Sequence, residues 1–185
     1  MSGGSLTAVH SSSNIFLVGP MGAGKTTVGR RLAEVRGMDF LDSDHEIERR
    51  TGVDIAYIFE KEGEAGFRRR EKQLLAELTT GSRLVLATGG GAVLENDNRQ
   101  HLASRGFVVY LRATVDHQLR RTSHSDTRPL LQTPDKRGTL EQLFAVRDPL
   151  YREIADLVLD TDGRNARTLA QEIERHLDAG PVATA

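Results

Sequence analysis

The sequence predicts an α/β protein: a five-stranded parallel sheet with helices on both faces, three layers in all. Three observations carry this. Short strand-like runs, at 14–18, 38–41, 84–88, 107–111 and 157–159, alternate with helical stretches along the chain, and such alternation implies crossover connections and a parallel sheet. Most of these runs are nearly all apolar, as strands covered on both faces are. A glycine-rich stretch, Gly19-Pro20-Met21-Gly22-Ala23-Gly24-Lys25-Thr26, stands between the first run and the first helical segment.

The elements follow in order. Asn14 to Val18 reads as a strand, and the helix after the glycine-rich stretch carries Val28, Leu32 and Val35 at helical spacing until Gly37 stops it. Met38 to Leu41 is a second strand ending at Asp42; Asp44 to Arg50 is a short helix stopped by Gly52. Helices are expected at 54–60 and 64–78, the second burying Phe67, Leu74, Leu75 and Leu78. A third strand, 84–88, runs into Gly89-Gly90-Gly91. Helix 96–104, strand 107–111 and helix 115–121 come next. The stretch 123–136 has no periodicity and reads as a lid loop. Helix 140–154 is expected to break or kink at Pro149. Strand 157–159 and amphipathic helix 166–177 close a single domain over 14–178. Residues 1–13 read as a flexible lead-in without signal-peptide character, and 179–185 as a flexible tail.

Composition narrows the function. With 25 basic and 26 acidic residues the net charge is −1, which gives no broad nucleic-acid footprint. No apolar run reaches the ~20 residues of a membrane helix. The absence of cysteine excludes disulfides, thiolate metal sites and a cysteine nucleophile, and it suits the cytoplasm.

The glycine-rich stretch fits G-x-x-x-x-G-K-[ST], with Thr27 following. Glycines let successive N–H groups turn inward onto a polyphosphate, and the positive end of the next helix adds to the field. Lys25 brings a point charge to the β and γ phosphates, and the Thr26 hydroxyl can ligate Mg²⁺. The chain is therefore expected to bind ATP or GTP with Mg²⁺. Asp42 and Asp44 stand two apart past a strand: one can face the metal and the other a substrate hydroxyl, or they simply cap a helix. Gly89 to Gly91 suggests close approach of a ligand to bare backbone. Arg68 and Arg147 can form bidentate pairs with a carboxylate, which would suit an acidic substrate. An arginine in the lid, within Thr127-Arg128-Pro129-Leu130, can reach the phosphates when the lid closes.

Together these residues resemble the shikimate kinase family. The matches run in the family's order from about residue 14 to 178: Gly19 to Thr27, Phe40-Leu-Asp-Ser-Asp44, Ile55-Ala-Tyr-Ile-Phe59, Gly63-Glu64 with Phe67-Arg68, Gly89 to Gly91, Arg128-Pro-Leu-Leu131 and Arg147-Asp-Pro-Leu-Tyr151. The resemblance implies a P-loop kinase fold with a helical substrate-binding segment at about 43–80 and a mobile lid at about 123–136. It implies phosphorylation of the shikimate 3-hydroxyl by ATP with one Mg²⁺, on the route to chorismate and aromatic amino acids. Gly22, Ala23, Gly24, Lys25, Thr26 and Thr27 would hold ATP, with Arg121 near adenine and Arg128 at the γ phosphate. Thr26 would ligate the metal, with Asp42 supporting it through water. Asp44 would orient or deprotonate the hydroxyl, Arg68 and Arg147 would clamp the carboxylate, Gly90 and Gly91 would touch substrate through backbone, and Phe59 and Phe67 would line its pocket. Catalysis would fall to Asp44, Lys25 and Arg128. The chain is expected to act as a cytoplasmic monomer on small molecules alone. A gluconate kinase of the same architecture and a nucleotide-binding module without phosphoryl transfer are the competing expectations.

Overall fold

The computed structural model describes residues 14–122 and 131–179. Among the described residues, five strands form one parallel sheet in the order β2-β3-β1-β4-β5: β1 Asn14–Val18, β2 Asp39–Asp42, β3 Leu84–Ala87, β4 Gly106–Arg112 and β5 Leu157–Asp160. The helices are α1 Lys25–Arg36, α2 Ser43–Thr51, α3 Ile55–Leu78, α4 Asn96–Arg105, α5 Val115–Thr122, α6 Lys136–Ile154 and α7 Ala166–Ala179.

Strand period sorts the core into two layers. Ile15 and Leu17 of β1 face α1 and α7, packing with Val28, Leu32, Leu169 and Ile173. Phe16 and Val18 face the other way, into a cluster with Leu75 of α3, Leu102 of α4 and Tyr151 of α6. A third, smaller cluster of Ile47, Ile58, Phe67 and Leu74 joins α2 to α3. It packs α2 on α3, while Leu75 of α3 reaches the second layer beside the sheet.

The two helices expected at 54–60 and 64–78 are one element broken at Gly63, whose φ of 69° and ψ of 179° lie in a region open essentially to glycine alone. The break brings Glu62 back over Gly66, where a Cβ would collide with the Glu62 side chain, and Glu62 then pairs with Arg70 at 2.6 Å.

Three boundaries are corrected. Pro149 does not break α6, which continues to Ile154. The helix buries Leu140, Arg147, Tyr151 and Ile154 along one face, and that packing outweighs one lost backbone bond. Lys136, given to the lid, opens α6, because Asp135 caps the helix by accepting from the Gly138 amide at 2.9 Å. Ala179, given to the tail, is the last residue of α7. Of the expected lid, 123–130 lies outside the described residues, and Arg128 with it; so do the lead-in and residues 180–185.

Candidate active site

In a parallel sheet the loops at the strand carboxyl ends open one crevice where the order of connections reverses. Here β1 lies between β3 and β4, so the loop after β1 and the glycines after β3 share that crevice. Asp42 ends β2 alongside Ala87.

At the β1 end the chain curls from Gly19 into α1, and the Gly24 carbonyl accepts from the Val28 amide at 2.9 Å. Lys25 folds back over the loop, donating to the carbonyls of Gly19 at 2.7 Å and Pro20 at 2.8 Å. Ala23 is buried, Thr26 half-buried and Thr27 exposed. The exposed Arg121, near the end of α5, has its Cβ 3.1 Å from where a Cβ on Gly22 would stand, so α5 sits against the loop.

Asp42 caps a helix and also bonds the phosphate loop. One oxygen caps α2, accepting from the amides of Asp44 at 3.0 Å and His45 at 3.3 Å. The other accepts from the Thr26 hydroxyl at 2.7 Å. Among the described residues no group of three or more His, Asp or Glu gathers as a metal cage. A single hydroxyl–carboxylate pair beside a phosphate loop suits Mg²⁺, which keeps several waters and takes its other ligands from substrate phosphates.

The other half of the site gathers around Gly89 to Gly91. The Gly89 amide donates to Ser43 at 2.9 Å. A Cβ on Gly89 would lie 2.7 Å from Glu71 Oε1 and 2.8 Å from Asp44 Oδ1; one on Gly91 would overlap the Arg68 guanidinium. A Cβ on Gly90 would stand 3.4 Å from Arg147 Nη1. Ligand approach was the expected reason for three glycines; at positions 89 and 91 the protein's own charged groups already fill the space a side chain would need.

Glu71 and Arg147 are buried, Asp44 and Arg68 half-buried, and three of the four have an unbonded polar atom. Glu71 is fully buried and accepts from Arg68 Nη1 at 2.7 Å, while Arg68 also reaches Glu64 at 3.1 Å. Asp44 Oδ1, Glu71 Oε1 and Arg147 Nε have no hydrogen-bond partner. Burial, and then the neighbouring Asp42 carboxylate, push Asp44 up to about 6 against the pull of Lys25 and Arg68. Burial pushes Glu71 up to about 7, opposed chiefly by Arg68. Carboxyls raised in this way are found both in functional sites and in buried ion-pair networks. Arg147 is 5% exposed. Phe59 and Phe67 stack at 5.1 Å between centroids, and Arg68 lies 5.1 Å over the Phe67 ring.

The structure brings near one another the phosphate loop, Asp42, Asp44, Arg68, Gly90, Gly91 and Arg147, with the phenylalanine pair behind Arg68 and Arg121 at the loop; Thr27 is exposed on α1. Sequence reasoning missed Ser43, Glu71 and Tyr151. Glu71 had a signal, since it stands three residues after Arg68 on one helix, the spacing of an ion pair.

A parallel sheet with this loop at its central strand, facing buried carboxylates and an arginine, defines a P-loop kinase. The shikimate kinase family model matches residues 21–178. The chain is 61% identical over 160 residues to a shikimate kinase from Methylococcus capsulatus, covering 86% of this chain and 89% of that one. It is 56% identical over 164 residues to one from Shewanella denitrificans, covering 89% and 96%. A solved shikimate kinase from Acinetobacter baumannii in complex with shikimate superposes with a TM-score of 0.90 at 55% identity, covering 92% of this chain and 95% of that one. This chain belongs to the shikimate kinase family, and with that it is a kinase using ATP as co-substrate.

Proposed function

We propose that the enzyme transfers the γ-phosphoryl group of ATP to the 3-hydroxyl of shikimate, giving shikimate 3-phosphate and ADP, in the pathway to chorismate and the aromatic amino acids. The observation that carries this reading is the set of three buried, partnerless polar atoms on Asp44, Glu71 and Arg147 around a glycine loop, one strand from the phosphate loop. A hydroxy acid can complete such a set: its hydroxyl meets Asp44, and its carboxylate meets the arginines. Burying a charge without such completion would be costly.

In this reading Asp44 accepts the proton of the attacked hydroxyl. The hydroxyl oxygen bonds to the γ phosphorus as the bond to the β–γ bridging oxygen breaks, and ADP leaves with that electron pair. A carboxyl raised towards neutrality by burial suits a base that must take up a proton at working pH. Arg68 and Arg147 hold the acid by their planar forks, Gly90 and Gly91 meet it through backbone, and Phe59 and Phe67 cover its apolar side. Lys25 and residues 22–27 cradle the ATP phosphates, Arg121 meets the adenine, and Arg128 is assigned to the γ phosphate from its place in Arg128-Pro-Leu-Leu131. Thr26 and, through water, Asp42 would hold one Mg²⁺, which neutralises phosphate charge when bound. The domain spans 14–179 with its acid-binding segment at about 43–80. The enzyme acts as a cytoplasmic monomer on small molecules, without nucleic-acid or membrane partners.

ADP release from Mg·ATP tests this with shikimate, quinate, gluconate or no acceptor. Strong stimulation by shikimate alone is expected. Equal stimulation by gluconate would overturn the choice of shikimate as acceptor, and none by any acceptor, with ATP still bound, would overturn phosphoryl transfer.

A further inference from the structure

Tyr151 lies one helical turn beyond Arg147 on α6, so the two side chains leave the same face. It is 1% exposed. Its hydroxyl donates to the Gly90 carbonyl, Arg147 Nη1 lies 3.4 Å from where a Cβ on that glycine would stand, and burial pushes the Tyr151 hydroxyl up against the downward pull of the Arg147 cation. A phenol has one proton and two lone pairs. The proton goes to Gly90, which leaves the oxygen lone pairs towards the cation.

The ring is held from behind. Tyr110 stacks on it with centroids 4.8 Å apart, and the Tyr110 hydroxyl donates to Asp148 Oδ1 at 2.7 Å. Asp148 Oδ2 in turn accepts from Arg152 at 2.8 Å. A buried aromatic on a helix usually serves packing alone, and the ring does pack. The hydroxyl adds something packing does not need: it bonds one site element, Gly90, while facing another, Arg147.

We infer that Tyr151 is a positioning residue, its hydroxyl holding the Gly90 carbonyl and the Arg147 guanidinium at one spacing so that both meet the same acid. The inference rests on the proposed assignment of Gly90 and Arg147 to the acid substrate. The hydroxyl touches neither substrate nor reacting atoms; it acts through the two groups that do. Its loss should weaken acid binding and leave the phosphate end untouched.

The test is Tyr151→Phe, which keeps the ring and removes one oxygen, beside Tyr110→Phe, which removes the bond to Asp148 but leaves the Tyr151 hydroxyl on Gly90. For Tyr151→Phe the KM for shikimate should rise about 5- to 30-fold, the loss expected for a hydrogen bond to a charged or buried partner, with kcat within about 3-fold and the KM for ATP unchanged. Tyr110→Phe should lower the melting temperature without moving the KM for shikimate. An unchanged KM for shikimate in Tyr151→Phe overturns the inference, and so does an equal rise in Tyr110→Phe, which would mean general packing. Arg147→Lys in the same assay separates the two readings. If it leaves the KM for shikimate unchanged, the assignment of Arg147 has failed; if it raises that KM while Tyr151→Phe does not, only the role of Tyr151 has. The double variant supplies a second measurement: its effect should fall short of the product of the single effects, because both act through one contact, and full multiplicativity would overturn the coupling.

Discussion

At one end of the crevice, the consecutive residues 19–27 form the phosphate loop. At the other end, Asp44, Arg68, Glu71, Gly89 to Gly91, Arg147 and Tyr151 come from four separate stretches carried by α2, α3, the loop after β3 and α6. The two ends also differ in how charge is held. Lys25 is half-buried and bonded to two backbone carbonyls of its own loop, so the cation is parked by neutral dipoles. In the other half, cations and carboxyls are buried against one another, and three of their polar atoms find no partner. A phosphate cradle needs backbone amides and one mobile charge, which a short glycine-rich segment supplies. A site for a small acid needs opposed charges at fixed spacing, and only tertiary packing can hold these against their desolvation cost. Changes at the first end should therefore disturb ATP, and changes at the second should disturb the acceptor.

The sharpest separation is expected from Asp44→Asn. It removes the proposed proton acceptor but leaves the Thr26–Asp42 pair intact, so kcat should fall about 10²- to 10⁴-fold while ATP binding, followed by titration, stays within a few-fold. Normal turnover would remove Asp44 from the chemistry. Lys25→Met is the matching change at the phosphate end. It should cost about 10²- to 10³-fold in kcat and weaken ATP, with shikimate binding retained; a defect confined to shikimate would break the division between the two ends. Arg147→Lys comes next, because a point charge replaces a planar fork. The KM for shikimate should rise about 10- to 100-fold with that for ATP unchanged, and a change in the ATP KM alone would move Arg147 to the other end.

The same contrast explains what could be read from the sequence. The phosphate loop was legible because its function is local: each residue acts through neighbours a few positions away, and spacing records that. Asp42 and Asp44 were legible as a pair, and the cap reading of Asp42 leaves room for a second role, since one oxygen caps α2 and the other accepts from Thr26. The fold was legible in its alternation; element ends were misread by a residue or a few, as at Lys136 and Ala179, and one local signal lost to tertiary packing. Pro149 reads as a breaker, but buried Arg147, Tyr151 and Ile154 hold α6 through it. Glu71 stood at the end of a charged run, Arg68-Arg69-Arg70-Glu71, of which Arg69 and Arg70 face solvent; the position of Gly89 after β3 shows that this carboxyl points inward. Tyr151 was hidden for the opposite reason, since a buried aromatic on a helix looks like core, and here it is core as well.

Glu71→Gln carries the smallest expected effect on activity and tests the electrostatic half of the comparison. The glutamine keeps shape and can still accept from Arg68, so kcat should stay within about 10-fold. Stability should respond to pH. The Glu71 carboxyl is raised from 4.5 to about 7, first by burial and against the attraction of Arg68. Between those values the folded chain holds a proton that the unfolded chain has released, so the contribution of Glu71 to stability falls as pH rises through this window and is fully lost above the folded value. Glutamine has no such loss. The melting temperature of Glu71→Gln relative to the unsubstituted enzyme should therefore climb from pH 5 to pH 8, by at least about 3 °C for a chain of this size. A difference that stays level across that range would mean that Arg68 fully compensates the buried charge, and the acid end would then be held by pairing as tightly as the phosphate end is held by its backbone.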